Sequence, residues 1–260
     1  MEIRREGFRL DCLRGERRSA LRKQNLLPGE IAGVSTELIS MRGPLSRDEA
    51  GVPDVCVVLI SLGGAATVKA AGAVFDMSGE TIVRPPYAKE HVVEVAGGQE
   101  VHFLRIGLSL DGKDRAAIEA NAVAHGAMLA RRFADCPAYT EPIKSAKTKN
   151  RMLLLEGEVP RFGAGTVETT GPDEVGAHEH AMLEQLFLGL KGCRCTVHAD
   201  GAEAPLEENC LLHVPLGSRH GVSVESGDRL SYVWLDFFRT LADQSWLTTA
   251  HALIPPGGRP

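Results

Sequence analysis

The 260-residue sequence has no run approaching the roughly 20 apolar residues that span a bilayer. Its first residues, MEIRREGFRLDCLRGERR, lack the apolar stretch of a secretory signal, so the reading places the protein in the cytoplasm with no membrane partner. Basic residues are dispersed, apart from a mild concentration between Arg14 and Lys23, and the formal charge is −5. Without a basic stripe to meet phosphates, nucleic acid is not an expected partner. No segment is biased enough to suggest disorder. The six cysteines, Cys12, Cys56, Cys136, Cys193, Cys195 and Cys210, show neither CxxC pairs nor the density of a disulfide scaffold, so reduced thiols are expected. Cys193 and Cys195 would share one face of a strand as two small buried apolar residues.

What is present is a rhythm of short β-branched segments. Val55 to Val68 has a glycine pair in its middle and reads as two strands joined at a tight turn. Ala73 to Val83, Val92 to Val95 and Glu100 to Leu108 follow, punctuated by SGE, PPY and AGGQ, as all-β barrels and sandwiches require. From Asp111 to Pro137 the pattern turns alanine-rich, with acidic residues at its start and arginines near its end, and predicts a helix. Ile118, Ala122, His125, Leu129 and Phe133 would form its buried stripe, with His125 a structural residue beneath it. After a loop of about fifteen residues, strands resume at Met152 and run to Phe238. The expected divisions are a first β domain at 1–110, a helix and linker at 111–150, a second β domain at 151–240 and a tail at 241–260, where PPGGRP ends the chain. The two β regions have similar length and rhythm without a residue-level repeat, which suggests a duplicated fold that has diverged.

Chemistry concentrates in the second half. In GAHEHAMLEQLFLGLKG, Gly176 to Gly192, residues two apart on a strand share a face, so His178 and His180 can reach one ion. His220, in CLLHVPLGSRHGV, closes the set from another hairpin. Imidazoles with one oxygen ligand suit Mn, Fe, Ni, Co or Zn. Alternation from Gln185 aims Phe187 and Gly189 inward, Gly189 leaving room for a ligand. Alternation in the last strand puts Tyr232, Trp234 and Asp236 on one face. Tyr232 could supply a proton and Arg219 could hold a carboxylate. His198 and His213 have no such framing, although His213 could support the ligands from behind.

These segments resemble the cupin family, whose motifs have the forms G(X)5HXH(X)3,4E(X)6G and G(X)5PXG(X)2H(X)3N. His178, His180 and Gly192 match the first, with Gly171 one residue too far upstream. Pro215, Gly217 and His220 match the second, with Val224 in place of its Asn. The fourth ligand is Gln185 by the spacing to Gly192, as in small cupins that carry Gln in an HxH…EQ sequence, or Glu184 by the shorter spacing. The resemblance implies a mainly all-β fold of two cupin-type β-barrels (double-stranded β-helix, jelly-roll) joined by a helical linker, with one divalent transition metal ion in the second. The first half has no HxH, and PPYAKEH, with His91 standing alone, is its counterpart of the second motif, so that barrel is expected to hold no metal. Three functions follow. The first is an enzyme using the metal as a Lewis acid on a small polar or carboxylate substrate, in a lyase, isomerase or hydrolase step. The second is an iron-dependent dioxygenase, and the third a non-catalytic bicupin that binds a small molecule. The resemblance also implies a homodimer.

Overall fold

The computed structural model describes residues 3–10 and 20–255, and the chain divides into two compact units, Arg9–Asp135 and Met1–Phe8 with Cys136–Pro260. Strand β1 (Arg4–Gly7) belongs to the second unit. The first unit contains β2 (Leu21–Asn25), β3 (Val34–Arg42), β4 (Leu45–Glu49), β5 (Val55–Ala70), β6 (Ala73–Ser78), β7 (Thr81–Arg84), β8 (His91–Val95), β9 (Glu100–Ser109), α1 (Gly112–Ala120), α2 (Ala122–His125) and β10 (Leu129–Arg132). The second contains β11 (Tyr139–Thr140), β12 (Lys149–Leu154), β13 (Phe162–Thr170), β14 (Asp173–His178), β15 (Leu183–Gly189), β16 (Arg194–Ala199), β17 (Ala202–Glu207), β18 (Cys210–Val214), β19 (His220–Val224), β20 (Arg229–Phe238), α3 (Trp246–Ala250) and β21 (Ala252–Leu253).

Each unit is built on the same strand order. In the first, β10-β7-β5-β9-β3-β2 form one sheet path and β4-β8-β5-β6 the other. In the second, β1-β18-β15-β20-β13-β12 and β14-β19-β16-β17 take the corresponding places. Register agrees as well: Val34 faces Leu108 and Arg42 faces Glu100 in the first unit, as Phe162 faces Phe237 and Thr170 faces Arg229 in the second. The inward residues of both paths meet in an apolar cluster in each unit, around Ile39, Leu59, Val93 and Phe103 in the first and Val167, Leu212, Val222 and Trp234 in the second. Cys193 and Cys195 lie in the second cluster, buried, with their sulfurs 3.8 Å apart.

Several expectations need correcting. Val55–Ala70 is one strand, not two joined by a turn: its register shifts between Ser61 and Gly63, and the bulge lets β5 bend from one path into the other. Gly64 makes this possible, since at φ +82 an added Cβ would lie 1.9 Å from the Glu100 carbonyl oxygen. The predicted long helix stops early. Asp111 caps α1 in a reciprocal box with Asp114, but the helix breaks at Asn121 and α2 ends at Gly126. Leu129–Arg132 then adds to the edge of β7 as a strand, where ladder hydrogen bonds outweigh the local helical pattern. The division at 111–150 is also displaced, because the boundary between units falls at Asp135 and Cys136. Residues 241–255 are not a tail: Leu247 is buried over Gly163, and Gln244 donates to the carbonyls of Val159 and Phe162. The terminal PPGGRP, apart from Pro255, and Cys12 lie outside the described residues. Among the described residues no helix is long and apolar enough to cross a membrane.

Candidate metal centre

The backbone brings the three histidines together by register and by a turn. His178, the last residue of β14, lies opposite His220, the first of β19, across a register shift that follows Val175. His180 is not on the strand. It sits two residues beyond β14, and its carbonyl accepts from the Gly217 amide at 3.1 Å, which ties it to the turn Pro215–Ser218. Gly217 has φ +71 there, a conformation that glycine adopts without strain. The ring of His180 packs edge-on against Trp246 in α3, with centroids 4.6 Å apart. The ligand atoms of His178, His180 and His220 all lie within 4.8 Å of one another.

The free ring positions point inward. His178 Nδ1 pairs with the Gly176 carbonyl at 2.8 Å and His220 Nδ1 with the Ser218 carbonyl at 2.9 Å, so Nε2 of each faces away from its own backbone. The Nε2 atoms of His180 and His220 and Oε1 of Gln185 are buried without a hydrogen-bond partner among the described residues. Burial lowers the pKa of all three histidines, and repulsion from neighbouring imidazoles lowers His180 further, to about 3, and His220 to about 4. Neutral imidazole is the form that donates a lone pair to a metal. These orphaned, neutral and convergent atoms fit a cation.

Gln185 and Glu184 separate cleanly. Gln185 lines the cavity with the histidines, and its Nε2 donates to Asp236 at 2.7 Å across the β15–β20 register, leaving Oε1 toward the cavity. Burial pushes Asp236 up to about 7. Glu184 faces the other way and pairs with His213 Nε2 at 3.1 Å, so His213 supports Glu184 and not the histidine cluster. Phe187, Tyr232 and Trp234 line the cavity, as alternation predicts. Tyr232 is buried, which holds its phenol protonated. Arg219 is exposed and is not among the cavity residues; its backbone amide donates to Asp200. Gly189 leaves no room for a ligand, since an added Cβ would lie 2.0 Å from the Glu207 carbonyl oxygen.

The remaining wall comes from segments that sequence reasoning left as loop and tail. Lys144 forms a buried ion pair with Glu141 at 2.7 Å and donates to the Tyr139 hydroxyl at 2.7 Å. That hydroxyl also accepts from Trp234 Nε1 at 2.8 Å. His251 Nε2 lies 3.7 Å from Glu141, and its ring stacks on Trp234. Two short pairings between segments distant in sequence hold this wall: β11 with β21, and an isolated bridge between Lys144 and Val175. The cavity enclosed is small, about 20 Å³.

No family model and no curated protein matches the sequence. Solved structures do match. A protein from Pseudomonas aeruginosa described as glyoxylate-induced has 14% identity and a TM-score of 0.70, over 83% of this chain and 80% of its own. A cupin 2 conserved barrel domain protein from Leptotrichia buccalis has 12% identity and a TM-score of 0.62, over 92% and 98%. A salicylate 1,2-dioxygenase from Pseudoaminobacter salicylatoxidans has 10% identity and a TM-score of 0.62, over 90% and 78%. At these identities the likeness is one of fold.

Proposed function

We propose, from the premise that this chain has the cupin fold, that its second unit holds one divalent transition metal ion through His178, His180, His220 and Gln185 and acts on a small carboxylate-bearing substrate. The observation that carries this reading is the convergence of buried, partnerless donor atoms on one cavity: His180 Nε2, His220 Nε2 and Gln185 Oε1. Each would be costly to bury, about 1–3 kcal/mol, if nothing satisfied it. When bound, such an ion supplies Lewis acidity toward a substrate oxygen or a water.

The charge of the proposed centre favours an anion, because the wall around it carries no net positive or strongly negative charge of its own. Lys144 and Glu141 cancel, the histidines are neutral, and Asp236, with its pKa near 7, is only partly ionised at neutral pH. All four of the proposed ligands are neutral, so the site as a whole would be cationic. The hydrogen bond of Asp236 to Gln185 fixes which amide atom faces the cavity. Lys144 is held in the same wall by Glu141 and the Tyr139 hydroxyl. Trp234, Phe187 and Trp246 limit access of water. The reaction is a lyase, isomerase or hydrolase step.

A second reading rests on the same hydrogen bond. If Asp236 holds Gln185 out of the coordination shell, three histidines remain, and an iron centre with open positions would suit oxygen chemistry, as the name of the salicylate dioxygenase with this fold suggests. Metal analysis of the purified protein beside a His178→Ala/His220→Ala variant tests both readings. One equivalent in the parent and none in the variant is expected. Iron with oxygen uptake would favour the second reading. No metal after reconstitution would overturn both.

A further inference from the structure

The matched register of the two units gives His220 a counterpart. His91 opens β8 opposite Glu49, the last residue of β4, as His220 opens β19 opposite His178, the last of β14. The turn before it repeats too, with Ala88 at φ +52 where the other unit has Gly217 at φ +71. The corresponding positions have changed chemistry. Val57 faces Gly107 where Gln185 faces Asp236, and Arg105 stands at the register place of Trp234.

This place is not a metal site. The Glu49 carboxylate is held by Arg105 through Nε at 2.9 Å and by Arg47 at 2.7 Å, so both its oxygens are engaged by guanidinium groups. It is nevertheless hollow. A cavity of about 70 Å³ lies there, with Val55, Val57 and Pro86 as its apolar wall and Glu49, Arg105 and His91 at its polar end. At about 10–15 Å³ per water-sized group, it has room for about five to seven non-hydrogen atoms. His91 is 2% exposed, and its Nε2 has no protein hydrogen-bond partner among the described residues. The carboxylate oxygen Oε2 of Glu49 is 3.9 Å from it, too far for a hydrogen bond. Over the cavity, the Tyr87 phenol donates to the Pro53 carbonyl, and Gly51 is pressed so close to Ala88 that a Cβ would lie 2.2 Å from its carbonyl carbon. Two loops are thus strapped together above an interior that keeps an unsatisfied polar group.

We propose that the first unit carries its own binding site, centred on His91, for a small neutral molecule bearing a hydroxyl group. Charge selects this class. Arg105 is already compensated by Glu49 and by Glu37 at 3.5 Å, so a ligand carboxylate would meet the Glu49 carboxylate and a ligand ammonium would meet Arg105, each without a free counter-charge inside. Lys89 also lines the cavity, but from its exposed rim. A hydroxyl is both donor and acceptor, and it can bridge His91 Nε2 and Glu49 across their 3.9 Å gap. The apolar wall then covers a short carbon chain.

The test uses the full chain without metal, with 1,2-propanediol as the probe and propionate and propylammonium as charged analogues of similar size. Imidazole ¹H–¹⁵N spectra follow each histidine, with His91 assigned by its loss in His91→Gln. The expected result is a saturable shift of the His91 signal with propanediol and none with either ion at equal concentration. Val57→Phe fills the opposite wall while keeping His91 and should weaken the response about tenfold or more. Val55→Phe serves the same purpose if the first variant does not fold. No saturable shift, an equal shift with propionate, movement of only the His178, His180 and His220 signals, or an undiminished response in a folded wall-filling variant would each overturn the proposal.

Discussion

Lowering the pH should destabilise the metal-free second unit through the same histidines that are proposed to hold the ion. In an unfolded chain a histidine takes up its proton as pH falls through 6.5, whereas folded His220 does so only at about 4 and His180 at about 3. Their folded pKa values are depressed, so their contribution is fully present above pH 6.5 and is lost progressively as pH falls toward 4. Each proton bound only by the unfolded chain removes about 1.4 kcal/mol per pH unit, so His220 alone accounts for about 2 kcal/mol between pH 6.5 and pH 5. Asp236 works in the opposite sense. Its pKa is raised to about 7, so the fold keeps a proton that the unfolded chain releases above 3.8, and its contribution fades as pH rises through 7. Comparing the parent with His220→Phe removes the Asp236 contribution, because both proteins carry it.

The assay is urea unfolding in chelator at pH 7.5, 6 and 5, followed by tryptophan fluorescence. Both tryptophans, Trp234 and Trp246, lie in the second unit, so the signal reports that unit. The parent should lose about 2 kcal/mol more than His220→Phe between pH 7.5 and pH 5. That is a substantial part of the 5–15 kcal/mol typical of a domain. Equal losses in the two proteins would refute the reasoning, because His220 would then titrate in the fold as it does in the unfolded chain.

Gln185→Leu should lower metal affinity about 10-fold to 100-fold, read by competition with a chromogenic chelator, whereas Glu184→Gln should leave metal binding unchanged and alter only the contact with His213. Lys144→Met should destabilise the protein by about 3–5 kcal/mol, since it strands Glu141 beneath the wall, and Lys144→Met/Glu141→Leu should recover part of that loss; denaturant midpoints decide, and a double variant weaker than the single one would contradict the pair's assignment. Gly189→Ala should cost about 3 kcal/mol because the Cβ would collide with the Glu207 backbone, a rigid neighbour. Thermal unfolding would show this as a clear drop in midpoint, and an unchanged midpoint would mean that the two strands can part.

What could be read from the sequence and what could not divide along physical lines. The histidines and Gln185 were legible because their spacing encodes strand alternation and turn geometry, both local properties of the chain, and the face shared by Tyr232, Trp234 and Asp236 followed from the same period of two. Even there, His180 owes its place to the Gly217 amide and to Trp246, not to the strand. Glu141, Lys144 and His251 were not legible, because short pairings far apart in sequence bring them to the cavity and no periodicity marks them. Arg219 shows the converse error: adjacency to His220 says little about direction, since neighbours on an extended chain point to opposite faces, and Arg219 turns outward where His220 turns in. The glycine pair at Gly63 and Gly64 carried the right information but allowed two geometries, a turn or a bulge, and only pairing with β9 selects the bulge. His91 is the strongest case. In the sequence it is a lone histidine after two prolines, but matched against His220 through strand register it marks the equivalent place in the first unit, where a salt bridge and an apolar wall stand around a cavity. Matched strand registers thus leave equivalent hollows in the two units, and the side chains that line each one, a histidine cluster with Gln185 in the second and His91 with an ion pair and an apolar wall in the first, set what each hollow can receive.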